Sequence, residues 1–428
     1  MKIKSLHLEN YRCFKNFDID FNDRLTVLVG ANGAGKTATL DALSIFLKWA
    51  GHPKIRNTSF DYLEMPLADI AFGSKLEDIS YWIEIEPIDE TGFEPRKIEF
   101  KRFWAASEKS VLLKPLAVRD VITMLNASSP IFTSYMAGRF INESDSIMTH
   151  EPYRPLLPNE FVAFENSFSR TIDFASTLSW FYDADADEAR NMRDNGQKDE
   201  SPELMAVREA LSKSLLGQYE KPRMSGHPSE LIIYRKGTSQ AYKIGQLSDG
   251  YRTMLALVLD LARRMAQAHG ADTKQAESPL SAPAIVLIDE VELHLHPAWQ
   301  QTILTTLMDI FPNTQFIATT HSPQVLTSIP QEHIRILSCG KAYTVSEQTQ
   351  GAEAQRLLKN VFGVDLRPRG LDIVQILKTY TDLVYAEQWD TPEAEELKRK
   401  LNEHYGNDEP ALMELELHIE NSKWEREL

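Results

Sequence analysis

A glycine-rich segment near the start of the chain has the composition and spacing of a phosphate-binding loop. Residues 30–37 read GANGAGKT and lie between an apolar strand pattern, Leu25–Val29, and a helical pattern, Thr37–Trp49. Glycines let the backbone turn tightly, so several N–H groups converge on phosphate oxygens at the positive end of the following helix. The lysine suits the outer phosphates of a nucleotide, and the threonine hydroxyl suits Mg²⁺. The residues expected to bind nucleotide here are Asn32, Gly33, Gly35, Lys36 and Thr37.

A short apolar strand that ends in two carboxylates supplies a second candidate. Ile285–Ile288 is followed directly by Asp289 and Glu290. Such a strand end can place one acid near Mg²⁺ and the other beside an attacking water. We predict that Asp289 holds the metal through water, with the Thr37 hydroxyl as a ligand, and that Glu290 polarises the nucleophile. Many α/β strands end in acidic residues, so this prediction depends on the loop that precedes it.

Two further segments complete a set of four motifs. LSDGYR (247–252) precedes a long amphipathic helical pattern, so Ser248 and the Gly250 N–H could meet a γ-phosphate at that helix N-terminus. His321 follows the strand pattern Gln315–Thr319 and could contact a γ-phosphate. Taken singly, the first motif is an ordinary helix cap and the second a structural histidine. Their order along the chain favours the functional interpretation of both.

The four motifs GANGAGKT, LSDGYR, IVLIDE and TTHS together resemble those of ABC-type ATPases of the SMC, RecF and OLD group. The opening segment LENYRCF (8–14) is similar to the N-terminal strand of the same group. The resemblance implies an α/β head with a mixed P-loop sheet flanked by helices, and ATP and Mg²⁺ as cofactors. It implies that Arg12 approaches the nucleotide, and that Glu290 and His321 are catalytic. Two heads would pair head to tail, with a signature of three residues acting on the partner's nucleotide: Ser248, Asp249 and Gly250.

Longer stretches resemble one branch of that group more closely. They are DEVELHLHPAWQ (289–300), FPNTQFIATTHSPQVL (311–326) and LSDGYRTMLALVLDLARR (247–264), and they are similar to the PtuA-type ATPase subunits of Septu and of retron-associated anti-phage systems. The resemblance implies a regulatory ATPase that controls an HNH endonuclease subunit of the PtuB kind. Nucleic acid would then be reached through that partner.

One departure from the family pattern affects the expected activity. Transporter-type ABC proteins carry a Mg²⁺-ligating glutamine between the phosphate-binding loop and the signature, but the first glutamine of this chain is Gln197. Near residues 69–73, where that glutamine is expected, either Asp69 or another oxygen substitutes for it, or the metal keeps an extra water. We therefore expect slow or regulated hydrolysis. His294 and His296 lack further ligands for a metal and are interpreted as structural or interface residues.

Alternating residues predict hairpin strands at Trp82–Glu86 and Lys97–Phe103, and charged helices are predicted at Pro392–His404 and Pro410–Trp424. Strand signals fade from about Val111 to Gly217. These patterns divide the chain into four parts. Residues 1–110 and 229–338 form the ATPase head, residues 111–228 form a helical insertion lobe, and residues 339–428 form a helical region for a partner or for oligomerisation. Sustained heptads are absent, so the lobe is expected to be compact and not a coiled-coil rod. No D-x-D pattern follows His321, so a nuclease domain of the OLD type is not expected in this chain.

Composition sets the remaining limits. The net charge is −16, and the two cysteines have no partner spacing, which predicts neither a zinc site nor disulfides. The sequence begins without a signal-like apolar core and contains no run long enough for a membrane helix, so a cytoplasmic protein without membrane contact is expected. The alternative function is a RecF-like DNA-repair ATPase that binds duplex DNA directly, with a basic patch seeded by Lys97, Lys101 and Arg102. The acidic balance disfavours it.

Overall fold

Two compact units make up the described part of the chain, Met1–Leu357 and Leu358–Leu428. They are seen in a computed structural model. The residues that it describes are 1–51, 63–71, 80–86, 96–107, 110–115, 130–137, 159–169, 171–195, 201–214, 217–225, 230–269, 278–406 and 408–427.

The strands and helices follow one another in the order that the sequence patterns predict for much of the chain. The strands are β1 Lys2–Tyr11, β2 Phe14–Asp20, β3 Leu25–Val29, β4 Leu63–Pro66, β5 Ser80–Glu86, β6 Arg96–Ser107, β7 Ser110–Pro115, β8 Ile131–Tyr135, β9 Tyr219–Ser225, β10 Glu230–Arg235, β11 Ala241–Lys243, β12 Ala284–Ile288, β13 Thr314–Thr319, β14 Ile334–Ser338 and β15 Lys341–Thr344. The helices are α1 Lys36–Ala50, α2 Phe174–Asn195, α3 Pro202–Ser214, α4 Asp249–His269, α5 Pro297–Gln300, α6 Ile303–Ile310, α7 Pro323–Leu326, α8 Ala354–Asn360, α9 Asp372–Tyr385, α10 Pro392–Tyr405 and α11 Pro410–Glu427.

A mixed sheet in the order β15-β14-β3-β13-β12-β8 forms the centre of the first unit. All its neighbouring strands are parallel except β14 and β15. Strands β3, β12 and β13 are buried along their whole length, which explains their continuous apolar sequences. Their carboxyl ends share one edge of the sheet, and the P-loop, Asp289 and His321 follow there. The predicted α/β fold with a mixed P-loop sheet and flanking helices is confirmed.

An antiparallel sheet in the order β2-β1-β5-β6-β7-β4 contributes to the same core as the central sheet. Helix α1 supplies Phe46 and Leu47 to that core, which also contains Leu6 of β1 and Leu287 of β12. The Tyr81 hydroxyl donates a hydrogen bond to a carbonyl of α1 at 2.9 Å. The antiparallel pairing of β5 with β6 confirms the hairpin predicted from Trp82–Glu86 and Lys97–Phe103.

The segment expected to be a helical lobe, residues 111–228, contains strands as well as the helices α2 and α3. Strand β8 pairs in parallel with β12 and is an edge of the central sheet. Its sequence, IFTSY, contains two small polar residues, Thr133 and Ser134, that hide its strand character. The Thr133 hydroxyl and the Ser134 N–H both donate to the Ser167 carbonyl, at 3.0 and 2.8 Å, so this strand is held to residue 167 as well as to β12. The expectation that strands fade throughout this segment was wrong at β8, and the four-part division remains a prediction.

The second unit has its own core. Helices α9, α10 and α11 bury Leu377, Tyr380, Leu401 and Leu415 together, and the predicted helices Pro392–His404 and Pro410–Trp424 correspond to α10 and α11. The first unit extends to Leu357, so β15, which lies within the region predicted to be helical, belongs to it. Within the described ranges, no helix has both the length and the apolar character needed to cross a membrane.

Candidate nucleotide site

The phosphate-binding loop closes around its own lysine. The Lys36 ammonium donates hydrogen bonds to the carbonyls of Gly30 and Ala31, at 2.8 and 3.1 Å, and the residue is buried. Burial lowers the pKa of Lys36 below its ordinary value, while nearby carboxylates including Asp289 act in the opposite direction. Gly35 has φ +100°, and a Cβ there would lie 2.2 Å from the Phe14 ring. The loop therefore needs glycine at this position for both conformation and space.

Thr37 and Asp289 meet at the carboxyl end of β12. The Thr37 hydroxyl lies 3.2 and 3.4 Å from the two carboxylate oxygens of Asp289. The Thr319 hydroxyl donates to the same carboxylate at 2.6 Å, so a residue that sequence analysis missed fixes its orientation. The Asp289 N–H donates to the Tyr135 carbonyl at 2.8 Å. The structure thus brings together the two residues predicted to be metal ligands.

The Thr37 hydroxyl and the Asp289 carboxylate are ligands of the type that Mg²⁺ prefers, but they are too few to fill its coordination shell. Magnesium prefers hard oxygen ligands and is usually held by one or two protein groups together with substrate phosphates and waters. Across the described residues, no group of three or more His, Cys, Asp or Glu side chains could hold a metal by itself. A hydroxyl and one carboxylate therefore fit a magnesium ion that nucleotide phosphates and waters complete.

The second predicted acid, Glu290, follows Asp289 directly and has a strained backbone conformation. Its φ is +48°, a left-handed conformation that residues with a side chain seldom adopt outside functional sites. The Glu290 N–H donates to the Thr319 hydroxyl at 2.8 Å. The Thr319 hydroxyl thus contacts both predicted acids. It donates to the Asp289 carboxylate and accepts from the Glu290 backbone N–H. Thr319 is the first residue of the TTHS motif, and this position could have indicated its role from the sequence.

His321 is exposed at the end of β13, and a further carboxylate anchors its backbone. The His321 N–H donates to one oxygen of Glu292 at 2.6 Å, and the Thr320 hydroxyl donates to the other oxygen at 2.7 Å. Ser322 then caps α7 by accepting from the Gln324 N–H at 3.1 Å. Glu292 thereby joins the segment after β12 to the loop that carries the histidine. Sequence reasoning missed it, although it lies only two residues beyond Glu290.

The signature residues begin helix α4, and Ser248 and Asp249 are exposed there. Gly250 approaches the segment after β12 so closely that a Cβ would lie 2.7 Å from the His294 carbonyl oxygen. Beside it, the Tyr251 and Trp299 rings contact edge to face with centroids 4.3 Å apart. The signature glycine therefore packs against residues that follow the predicted catalytic acid in the same chain, while Ser248 and Asp249 remain exposed.

His296 has a local role at the start of α5. Its Nδ1 accepts a hydrogen bond from the Ala298 N–H at 3.3 Å, so it caps the helix. His294 occupies a left-handed position with φ +64°, and its carbonyl lies against the signature glycine. This geometry agrees with a structural interpretation of both histidines.

Arg12 is joined to the P-loop helix by an ion pair. Its guanidinium donates to Asp41 of α1 at 2.5 Å and to Asp69 at 2.8 Å. Asp69 is buried, and its carbonyl also accepts the Arg12 N–H at 2.7 Å. Asp69, the candidate substitute for the missing glutamine, is thus a partner of Arg12. The roles assigned to the individual site residues, including the approach of Arg12 to a nucleotide, stay predictions.

Known proteins are similar to this chain over most of its length. The retron Ec83 "probable ATPase" of Escherichia coli is 28% identical, over 99% of this chain and 88% of the relative. The Septu protein PtuA of Bacillus thuringiensis is 23% identical, over 85% of this chain and 84% of the relative. The expected resemblance to retron-associated and Septu ATPases is confirmed.

Comparison with solved structures found an SMC head bound to the C-winged helix domain of ScpA, which is 17% identical with a TM-score of 0.45 and covers 81% of this chain and 98% of the other. At that level of similarity the fold assignment depends on the sheet topology described above. Among family models, one described as "AAA domain, putative AbiEii toxin, Type IV TA system" matches residues 25–327. Because this match covers well over half of the sequence, the chain belongs to that family of AAA-domain ATPases.

Proposed function

We propose that the chain binds and hydrolyses ATP with Mg²⁺ as the regulatory subunit of an anti-phage defence complex. One observation carries the ATPase part: five residues of the required types meet at one edge of the central sheet, namely Lys36, Thr37, Asp289, Glu290 and His321. The defence role is supported by the similarity of the chain to a retron probable ATPase and to Septu PtuA.

Each residue of the site has a distinct task in this proposal. Backbone N–H groups of the loop and the start of α1 bind phosphate oxygens, and the Lys36 ammonium moves from loop carbonyls to the outer phosphates. Thr37 and Asp289 hold Mg²⁺, which neutralises phosphate charge when bound. Glu290 orients a water for attack on the γ-phosphorus and accepts its proton. His321 donates a hydrogen bond to the γ-phosphate.

The exposed signature supports pairing of two chains. Ser248 and Asp249 are open to solvent at the N-terminus of α4, where a helix end attracts anions. Residues placed there can bind the γ-phosphate of a second head that is rotated by half a turn. ATP then lies between two chains and joins them, and hydrolysis releases them.

Ser248→Arg is expected to abolish this pairing while leaving ATP binding intact. The long side chain fills the space that a partner's γ-phosphate needs, but Ser248 lies outside the chain's own P-loop. Light scattering with a slowly hydrolysed ATP analogue and Mg²⁺ should show a doubled mass for the wild type and an unchanged mass for the variant. Ser346→Arg, at another exposed serine of the first unit, should behave like the wild type. If the mass of the wild-type protein does not increase when the nucleotide is added, the dimer proposal is wrong.

The second unit carries a surface suited to a protein partner. Helix α11 buries Leu412, Leu415 and Ile419 in its own core, yet Leu417 and Trp424 on another side are 58% and 65% exposed. A helix with apolar residues on two sides is normally buried on both. We assign the outer side to the binding of the HNH-type nuclease subunit.

Leu417→Glu is expected to weaken binding of that nuclease subunit without affecting ATP hydrolysis. The substitution places a charge among the exposed apolar residues of α11, which are Met413, Leu417 and Trp424, and charges are depleted from interface cores. Affinity between the co-expressed and purified subunits should fall by about tenfold or more, which corresponds to about 1.4 kcal/mol of binding free energy, because a few central residues carry most of the energy of an interface. Met205→Glu changes another exposed apolar residue, 52% exposed on α3, and should leave the affinity unchanged. Equal effects of the two variants would contradict the assignment.

A further inference from the structure

Tyr135, the last residue of β8, contacts two functional elements at once. Its backbone carbonyl accepts the N–H of Asp289 at 2.8 Å. Its hydroxyl donates to a carboxylate oxygen of Asp260 at 2.9 Å, and Asp260 belongs to α4, the helix that begins with the signature. One residue therefore lies between the predicted metal-binding acid and the helix that carries the signature.

Asp260 is held too firmly to move independently of its surroundings. It is 2% exposed and accepts hydrogen bonds from Arg263 at 2.8 Å, from Arg264 at 2.7 Å and from the Thr177 hydroxyl at 3.3 Å. Burial raises the pKa of Tyr135 well above its ordinary value, so its hydroxyl keeps the proton that it donates. The contact with Asp260 is thus a neutral donor on a fixed carboxylate.

The contacts of Arg264 close a ring back to β8. The Arg264 guanidinium donates to the carbonyls of Ala163 and Glu165, at 2.8 and 2.7 Å. The same short segment includes Ser167, whose carbonyl accepts two hydrogen bonds from β8. Strand β8 and the middle of α4 are therefore joined by one cluster of buried and part-buried hydrogen bonds.

We propose that Tyr135 is a positioning residue that couples the signature helix to the metal-binding carboxylate Asp289. The proposal rests on the function proposed above, in which Ser248 at the start of α4 binds a partner's γ-phosphate. An α-helix moves largely as a rigid body, so a change at its first turn reaches Asp260 three turns later. Tyr135 passes that change to the backbone of Asp289, so pairing of two heads tunes Mg²⁺ binding in each.

The first test uses hydrogen exchange in the nucleotide-free protein. Tyr135→Phe removes the hydroxyl and keeps the ring, while Thr177→Val removes a different hydrogen bond to the same Asp260 carboxylate. We expect faster exchange in peptides that contain the Asp289 amide for Tyr135→Phe, by about tenfold, which corresponds to a loss of about 1.4 kcal/mol in local protection. Thr177→Val should leave those peptides unchanged. Equal exchange at Asp289 in the two variants overturns the proposal.

The second test measures ATP binding at equilibrium while Mg²⁺ is titrated. Tyr135→Phe should raise the Mg²⁺ concentration for half-maximal binding by about tenfold, the lower end of effects seen for groups around metal ligands. ATP affinity measured in a chelator should not change, and Thr177→Val should match the wild type in both. If ATP binding by the wild-type protein does not depend on the Mg²⁺ concentration, the proposed function is wrong. If it responds but Tyr135→Phe equals Thr177→Val, only the coupling fails.

Discussion

Glu290→Gln is expected to lower the rate of ATP hydrolysis by about 10²- to 10⁴-fold while ATP affinity stays within twofold of the wild type. An amide cannot take the proton of the attacking water, so the general-base contribution is lost, which corresponds to about 3–5 kcal/mol of activation free energy. The change is nearly isosteric. The backbone of residue 290 is held by the Thr319 hydroxyl, so the amide should occupy the place of the carboxylate.

The measurement is phosphate release under single-turnover conditions, with ATP affinity determined separately by equilibrium binding. Glu332→Gln is a suitable control, because it makes the same chemical change at an exposed position in the same unit. Its rate should match the wild type. A Glu290→Gln rate within threefold of the wild type would contradict the role of Glu290 and show that another group activates the water.

Asp260→Ala is expected to lower the free energy of unfolding of the first unit by about 3–5 kcal/mol. The substitution leaves Arg263 and Arg264, both 3% exposed, without the carboxylate that balances them. Removing one partner of a buried ion cluster costs far more than the cluster contributes as a whole, since the remaining charge has no solvent. The Tyr135 hydroxyl also loses its acceptor.

The effect has a defined pH dependence. Burial alone would raise the pKa of Asp260, but Arg264 and Arg263 outweigh it and hold the pKa well below its ordinary value. A carboxyl with a lowered pKa in the folded state stabilises the protein above its unfolded pKa, near 4. That stabilisation is lost as the pH falls toward the folded value. The difference between wild type and Asp260→Ala should therefore be full at pH 7 and should shrink below about pH 4.

Denaturant titrations at pH 7 and below about pH 4 measure the difference in the free energy of unfolding between the wild type and Asp260→Ala. Asp23→Ala is the matched control, because Asp23 also forms an ion pair, with Lys4 at 2.6 Å, but its side chain is 50% exposed. An exposed pair contributes at most about 1 kcal/mol. If Asp260→Ala and Asp23→Ala lower the free energy of unfolding equally, the buried cluster does not contribute the stability predicted for it.

The candidate site residues could be singled out from the sequence because their motifs are local. The phosphate-binding loop, the acidic strand end and the histidine each lie within eight residues, and each needs a strand before it. Their partners were not predictable. Thr319 of β13 contacts Asp289 after β12, Glu292 contacts the backbone of His321 after β13, and Asp41 of α1 contacts Arg12 after β1. Such contacts depend on strand order, which the chain determines only when distant segments pair.

Strand β8 was missed for a related reason. Five residues with Thr133 and Ser134 in the middle give neither the alternation of a half-buried strand nor the apolar run of a central one. The strand character of β8 comes from its pairing with β12 and from the Ser167 carbonyl, which accepts hydrogen bonds from the Thr133 hydroxyl and the Ser134 N–H. By contrast, α10 and α11 were predictable because proline begins each helix and charge patterns extend along both.

The position of β8 makes the long segment between β3 and β12 inseparable from the ATPase. A domain that is merely inserted into a loop can be cut out, and its host still folds. Here an excision of residues 111–228 would remove an edge of the catalytic sheet and the carbonyl that anchors Asp289. A shortened chain that keeps the whole central sheet would therefore have to retain Ile131–Tyr135.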